Sequence, residues 1–137
     1  MESTRQKIKS DFCVFERKGN EALIIESIRN FIPFDEFQRI FNTVKELYVE
    51  KAFDKLIFDK RSLSVFDQPS MEWYYLDWKP KMADLGLKNH VKILPEDPLF
   101  KKSVTIGREK IAKANPEAVY HKLSIEYAND IDEAMQM

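Results

Sequence analysis

Short apolar runs alternate with amphipathic stretches along this chain of 137 residues, and the alternation predicts an α/β fold. Three observations carry that prediction. Phe12-Cys-Val-Phe-Glu16 and Ala22-Leu-Ile-Ile-Glu-Ser-Ile28 flank Lys18-Gly19-Asn20, whose Gly and Asn tolerate positive φ, so an antiparallel hairpin opens the domain. From Phe34 to Ala52 apolar residues recur in steps of three and four, the mark of an amphipathic helix. Beyond it, Lys55–Asp59 is an apolar run without alternation, as a central strand is, and His90–Leu94 is a second short strand. The expected architecture is one α/β domain. Its sheet is mixed and mainly parallel, with an N-terminal antiparallel hairpin and helices packed on it.

The elements follow in order. Residues 1–10 are polar and are expected to form a flexible N-terminal arm before a single domain over 11–137. After Pro33, Phe34, Phe37, Ile40, Phe41, Val44, Leu47, Tyr48 and Ala52 share one helical face, while Asp35 and Glu36 suit the positive end of the helix dipole. Residues 60–70 form a loop, with Ser70 as the expected N-cap of an aromatic helix. Pro80 falls inside that helix and predicts a kink or break near Lys79, and Gly86 ends it. Asp97-Pro98 starts another helix, and Gly107 on its apolar face implies close approach to the sheet or a neighbouring helix. Val119–Tyr127 alternates as a half-buried strand near an edge. Asp130 and Glu133 cap a last short helix with Ile131, Ala134 and Met135 inward.

Composition narrows the function. Lys and Arg number 22 against 23 Asp and Glu, so no field draws the chain to nucleic acid or to an anionic membrane. No apolar run approaches the ~20 residues that span a bilayer, and the first ten residues hold no signal-peptide core. A lone cysteine, Cys13, sits in an apolar strand and reads as a buried small hydrophobe. A reducing cytoplasm is the expected compartment.

No catalytic signature stands out. His90 and His121 have no His, Cys or carboxylate at ligand spacing, so no metal is expected. There is no Gly-x-Ser-x-Gly elbow, and with only 3 glycines no phosphate-cradling loop can be written, so no cofactor is expected. Asp59 ends a central strand, where a phosphoaccepting Asp would stand. The Mg²⁺ of such a site needs an acidic pair after the first strand, and Glu26-Ser-Ile-Arg-Asn30 has none. Asp59 is expected instead to cap the loop or to pair with Lys60 or Arg61. Of the aromatic cluster, Tyr74, Tyr75 and Trp78 share the inward side, and Trp73 is expected at the surface.

Leu56-Ile-Phe-Asp59, leading through a loop to Phe66-Asp67 and a helix, resembles STAS domains, the domains of sulfate transporters and anti-sigma-factor antagonists. The resemblance spans roughly Phe12 to Met135 and rests on element order and length. In that family a loop after a central strand carries an Asp followed by Ser or Thr at a helix start, and one hydroxyl is phosphorylated by a partner kinase. Asp67 matches that Asp; Gln68-Pro69 follow it, and Ser70 comes one place late. The resemblance therefore implies a non-enzymatic regulatory domain, similar to divergent bacterial STAS-like proteins.

Its contact surface would be the loop 60–70 and the helix after it, with Arg61, Asp67, Ser70 and Trp73 meeting a protein partner and Ser70 open to phosphorylation. The alternative is a small apolar or lipid-like ligand, held in a pocket between sheet and helices by Met71, Tyr75, Trp78, Met82 and Phe100. Those side chains also suit an ordinary core. A homodimer through an edge strand or the aromatic helix is a further option.

Overall fold

The computed structural model describes residues 3–7, 11–116 and 126–137. The turn at Lys18-Gly19-Asn20 does what its residues allow. Gly19 takes φ 54°, and the Glu21 amide closes onto the Lys18 carbonyl at 3.0 Å. Strands β2 (Cys13–Lys18) and β3 (Ala22–Ser27) are thereby paired antiparallel. A further strand, β1 (Ser3–Lys7), pairs antiparallel with β2 where a loose arm was expected. Its sequence, Ser-Thr-Arg-Gln-Lys, has no apolar residue to announce it, and its ladder to β2 is made by the backbone.

From β3 onward the chain adds one parallel strand after each helical segment. Helix α1 (Phe34–Glu50) leads to β4 (Lys55–Asp59), all of whose residues are buried. A helical stretch of α2 (Gln68–Trp73), a π-helical turn (Tyr74–Trp78) and α3 (Lys79–Leu85) leads to β5 (Asn89–Ile93). Helix α4 (Pro98–Ala114), capped by Asp97, precedes β6 (Glu126–Ala128), and α5 (Ile131–Gln136), capped by Asp130, follows. The sheet order is β1-β2-β3-β4-β5-β6. Most of the strand expected over Val119–Tyr127, with His121, lies outside the described residues.

Strands that march in one direction through crossovers of one hand carry their helices on one face. That face holds the main core: Phe15, Leu23, Ile25, Leu56 and Phe58 from the strands meet Ile40, Phe41, Val44, Tyr75, Trp78, Met82, Phe100 and Ile111 from the helices. The opposite face carries Ile24, Ile57, Val91, Ile93 and Ala128, covered by Ala134, Ile131 and Met135 of α5. The Lys55 ammonium fastens α5 there by donating to the carbonyls of Ala134 and Met135 at 2.8 and 3.1 Å, and to that of Met137. Cys13 is buried in the main core, and burial pushes its thiol up to about 12.

Pro80 does not break its helix. The turn before it widens to i→i+5, with the Lys79 amide on the Tyr74 carbonyl. A wider turn gives the proline ring room that the preceding carbonyl would deny it in a regular α-helix. The stretch ends at Gly86, where the Leu87 amide reaches back to the Met82 carbonyl at 2.9 Å. Gly107 faces α2, as its place on the apolar side implied: a Cβ there would lie 2.7 Å from Gln68 Oε1 and 3.2 Å from Met71 Sδ.

Gly86 sits at φ 117°, and a Cβ on it would lie 2.8 Å from the Tyr48 hydroxyl. Gly86→Ala is expected to lower stability by about 1–2 kcal/mol without changing the fold, read from the midpoint of urea unfolding.

Candidate functional site

The junction between residues 60–67 and α2 is built around Asp67. Its carboxylate, not Ser70, caps the helix, accepting from the Ser70 amide at 3.1 Å and the Ser70 hydroxyl at 2.7 Å. Ser70 is 3% exposed, so its hydroxyl is closed to a kinase while α2 keeps its first turn. A phosphate there would also stand against the Asp67 carboxylate. Arg61 does not join this group. It holds Asp59 in a two-pronged ion pair, Nε to Oδ1 at 3.0 Å and Nη2 to Oδ2 at 2.8 Å. That hydrogen bond, set against partial burial and helped by the charge of Asp59, raises the Arg61 pKa above its ordinary value. Trp73 is half-buried rather than exposed, edge-on to Phe37 at 6.1 Å. Asp67, Ser70 and Trp73 thus lie on one helical segment, while Arg61 is committed to the end of β4.

Beneath this junction, at the carboxyl ends of the parallel strands, is a cavity of about 40 Å³. Ligands of open α/β sheets collect at this end of the strands. Its walls include Phe37, Phe58, Leu63 and Met71, the exposed Val65 stands at its rim, and Tyr74, Tyr75, Lys60 and Lys92 also line it. Of the residues expected to line a pocket, Met71 and Tyr75 do so. Trp78 and Met82 are core, with the Trp78 indole donating to the Phe41 carbonyl at 3.0 Å. Phe100 packs edge-on against Phe66 and faces a separate surface groove.

The inner face of β5 is polar. His90 and Lys92 alternate inward, 1% and 3% exposed. Each meets a tyrosine from the π-turn. Tyr74 donates its hydroxyl proton to His90 Nδ1 at 2.6 Å, because His90 Nε2 must donate to the Leu87 carbonyl at 3.1 Å. Lys92 Nζ donates to the Tyr75 oxygen at 2.6 Å and lies 4.2 Å from the centroids of both tyrosine rings. Burial drives the His90 pKa down to about 3, with Lys79 adding to the effect. Burial, then Lys60, Lys79 and Arg108, holds Lys92 well below the usual lysine range. Lys60 and Lys79 each fall to about 8 through burial and the charge of Arg108. Burial also raises the Tyr74 pKa well above its ordinary value.

Among the described residues there is no group of three His, Cys, Asp or Glu that could hold a metal. No described helix is long and apolar enough to cross a membrane. No protein-family model matches the chain, and no curated protein matches it either.

Sequence reasoning gave Lys79, Lys92 and Arg108 no role in the site and saw Lys60 only as a partner for Asp59. A signal for one of them was present: a strand between two others is covered on both faces, so a Lys in its middle has no way out to water.

His90 makes stability pH-dependent in a stated direction. Its folded pKa lies below its unfolded value, so the unfolded chain binds the proton first and stability falls as pH drops from 6.5 toward 3. The expected slope from this group is about 1.4 kcal/mol per pH unit. Urea unfolding at stepped pH should show it, and His90→Leu, though less stable near neutrality, should lose stability less steeply across that window.

Proposed function

We propose that this protein is a non-enzymatic binding domain that takes a small, largely apolar ligand into the cavity between residues 60–67, α2 and the sheet. One observation carries this: an apolar-walled cavity with a few convergent polar groups lies at the carboxyl ends of β4 and β5. A space of about 40 Å³ favours a compact ligand over a long lipid chain.

A regulatory, protein-binding role of the STAS-like kind is the second proposal, and a specific observation favours it. Val65 and Leu99, 55% and 75% exposed, line one surface groove with Phe66 and Phe100, next to the cavity rim. Apolar residues grouped at a loop are a docking surface for a partner. The two roles share Val65 and Phe66, so a partner there would sense whether the cavity is filled. Asp67 stands at a helix start after a central strand, as the resemblance to STAS domains implies. A cytoplasmic setting, free of nucleic acid, belongs to the same proposal, and the buried, inert Cys13 suits it.

Isothermal titration of the purified chain with hexan-1-ol, a compact apolar probe, is expected to give saturable binding. Val65→Trp, an exposed rim position, should weaken it by about tenfold or more while urea unfolding stays unchanged. Leu99→Asp, a change in the groove and not on the cavity wall, should leave hexan-1-ol binding in place and remove any protein partner from a pull-down. Unsaturable binding of hexan-1-ol would overturn the ligand role.

A further inference from the structure

Buried ammonium groups are costly unless a counter-charge or a full set of acceptors surrounds them. Lys92 has neither in the described structure. Its one oxygen acceptor there is the Tyr75 hydroxyl, its other close neighbours are ring faces, and no described carboxylate pairs with it or with Lys60. Lys79 and Arg108 add positive charge to the same neighbourhood. Arg108 contributes a buried Nε that has no hydrogen-bond partner, although its Nη1 reaches the Tyr127 hydroxyl at 2.8 Å. The single acidic residue on the cavity wall, Asp67, is turned to Ser70.

We propose that the cavity is a site for a small carboxylate with a short apolar body, its carboxylate received by Lys92 and Lys60 and its body by Phe37, Phe58, Leu63 and Met71. This rests on the ligand-binding role proposed above and gives that ligand its charge. Three features select the class. Lys92 is 3% exposed yet lines the cavity, so a buried amine stands at the cavity wall, shielded from bulk water. The space, about 40 Å³, holds on the order of two or three waters, which suits a carboxylate head, with a short chain running along the apolar wall to the open rim at Val65. The walls are aromatic and aliphatic, which favours one charge on an apolar body over a phosphate with its heavier charge and greater need for donors. A bound anion would also offset the burial, and after it the repulsion from neighbouring cations, that depress the lysines.

The test compares hexanoate, hexan-1-ol and inorganic phosphate by isothermal titration against the full chain near neutral pH. Hexanoate is expected to bind about tenfold or more tightly than hexan-1-ol, and phosphate more weakly than either. Lys92→Met should reverse the order of the first two, and Lys60→Met should narrow the gap. Thermal unfolding of each variant shows that it is folded, and the comparison on the unaltered chain stands without them. Equal affinity for hexanoate and hexan-1-ol overturns the carboxylate site and leaves the apolar ligand role standing. Binding of neither overturns both. Phosphate binding tighter than hexanoate overturns the carboxylate class.

Discussion

Strand β5 turns polar groups toward the hydrophobic side of its own sheet, and the helical stretch above it is shaped to receive them. Alternate strand residues lie on one face, so His90 and Lys92 point the same way about two residues' rise apart. Consecutive tyrosines, Tyr74 and Tyr75, meet them one to one. The π-turn that carries those tyrosines is thus more than an accommodation of Pro80. It places two hydroxyls over two inward groups that would otherwise be unsatisfied, and the cavity lies where this polar column meets the apolar wall of Phe37, Phe58 and Met71.

The fold was largely legible in the order of its patterns. The Gly-Asn turn, the apolar periodicity of α1, the apolar run of β4 and the Asp-Pro start of α4 each rest on local chemistry that acts wherever it occurs, and the elements stand where those signals put them. Gly107 was legible for the same reason, since a glycine on an apolar face has few other uses. What escaped depended on tertiary partners. β1 is a strand because β2 offers it a backbone ladder, and nothing in Ser-Thr-Arg-Gln-Lys announces that. Ser70 and Asp67 are both good helix caps, three residues apart, and only the path of the loop decides that Asp67 takes the position.

The candidate site was half legible. Its place in the chain, after β4 and at the start of the next helix, followed from the α/β pattern. Its chemistry did not, because attention to aromatic residues found Tyr75 and Met71 but gave Lys79, Lys92 and Arg108 no role in the site. Arg61 was expected both as a partner of Asp59 and on a contact surface with Asp67, and its ion pair is with Asp59, two residues away at the end of the strand. Trp73 shows the same limit from the other side. A widened turn alters the angular count on which its exposure was reckoned, and Phe37 claims its edge.

Neighbouring strands in space are also neighbours along the chain from β1 to β6. Each unit can therefore settle on the one made just before it, and no strand must wait for a distant segment to arrive between its neighbours. Such contacts are close in sequence for a parallel sheet, which lowers the entropy of closing each loop. The assembly resembles the stepwise growth of a solenoid more than the closing of a doubly wound sheet. β4 and β5, which carry the cavity, are neighbours both in the sheet and along the chain, so the floor of the site is built from contacts local to its own stretch.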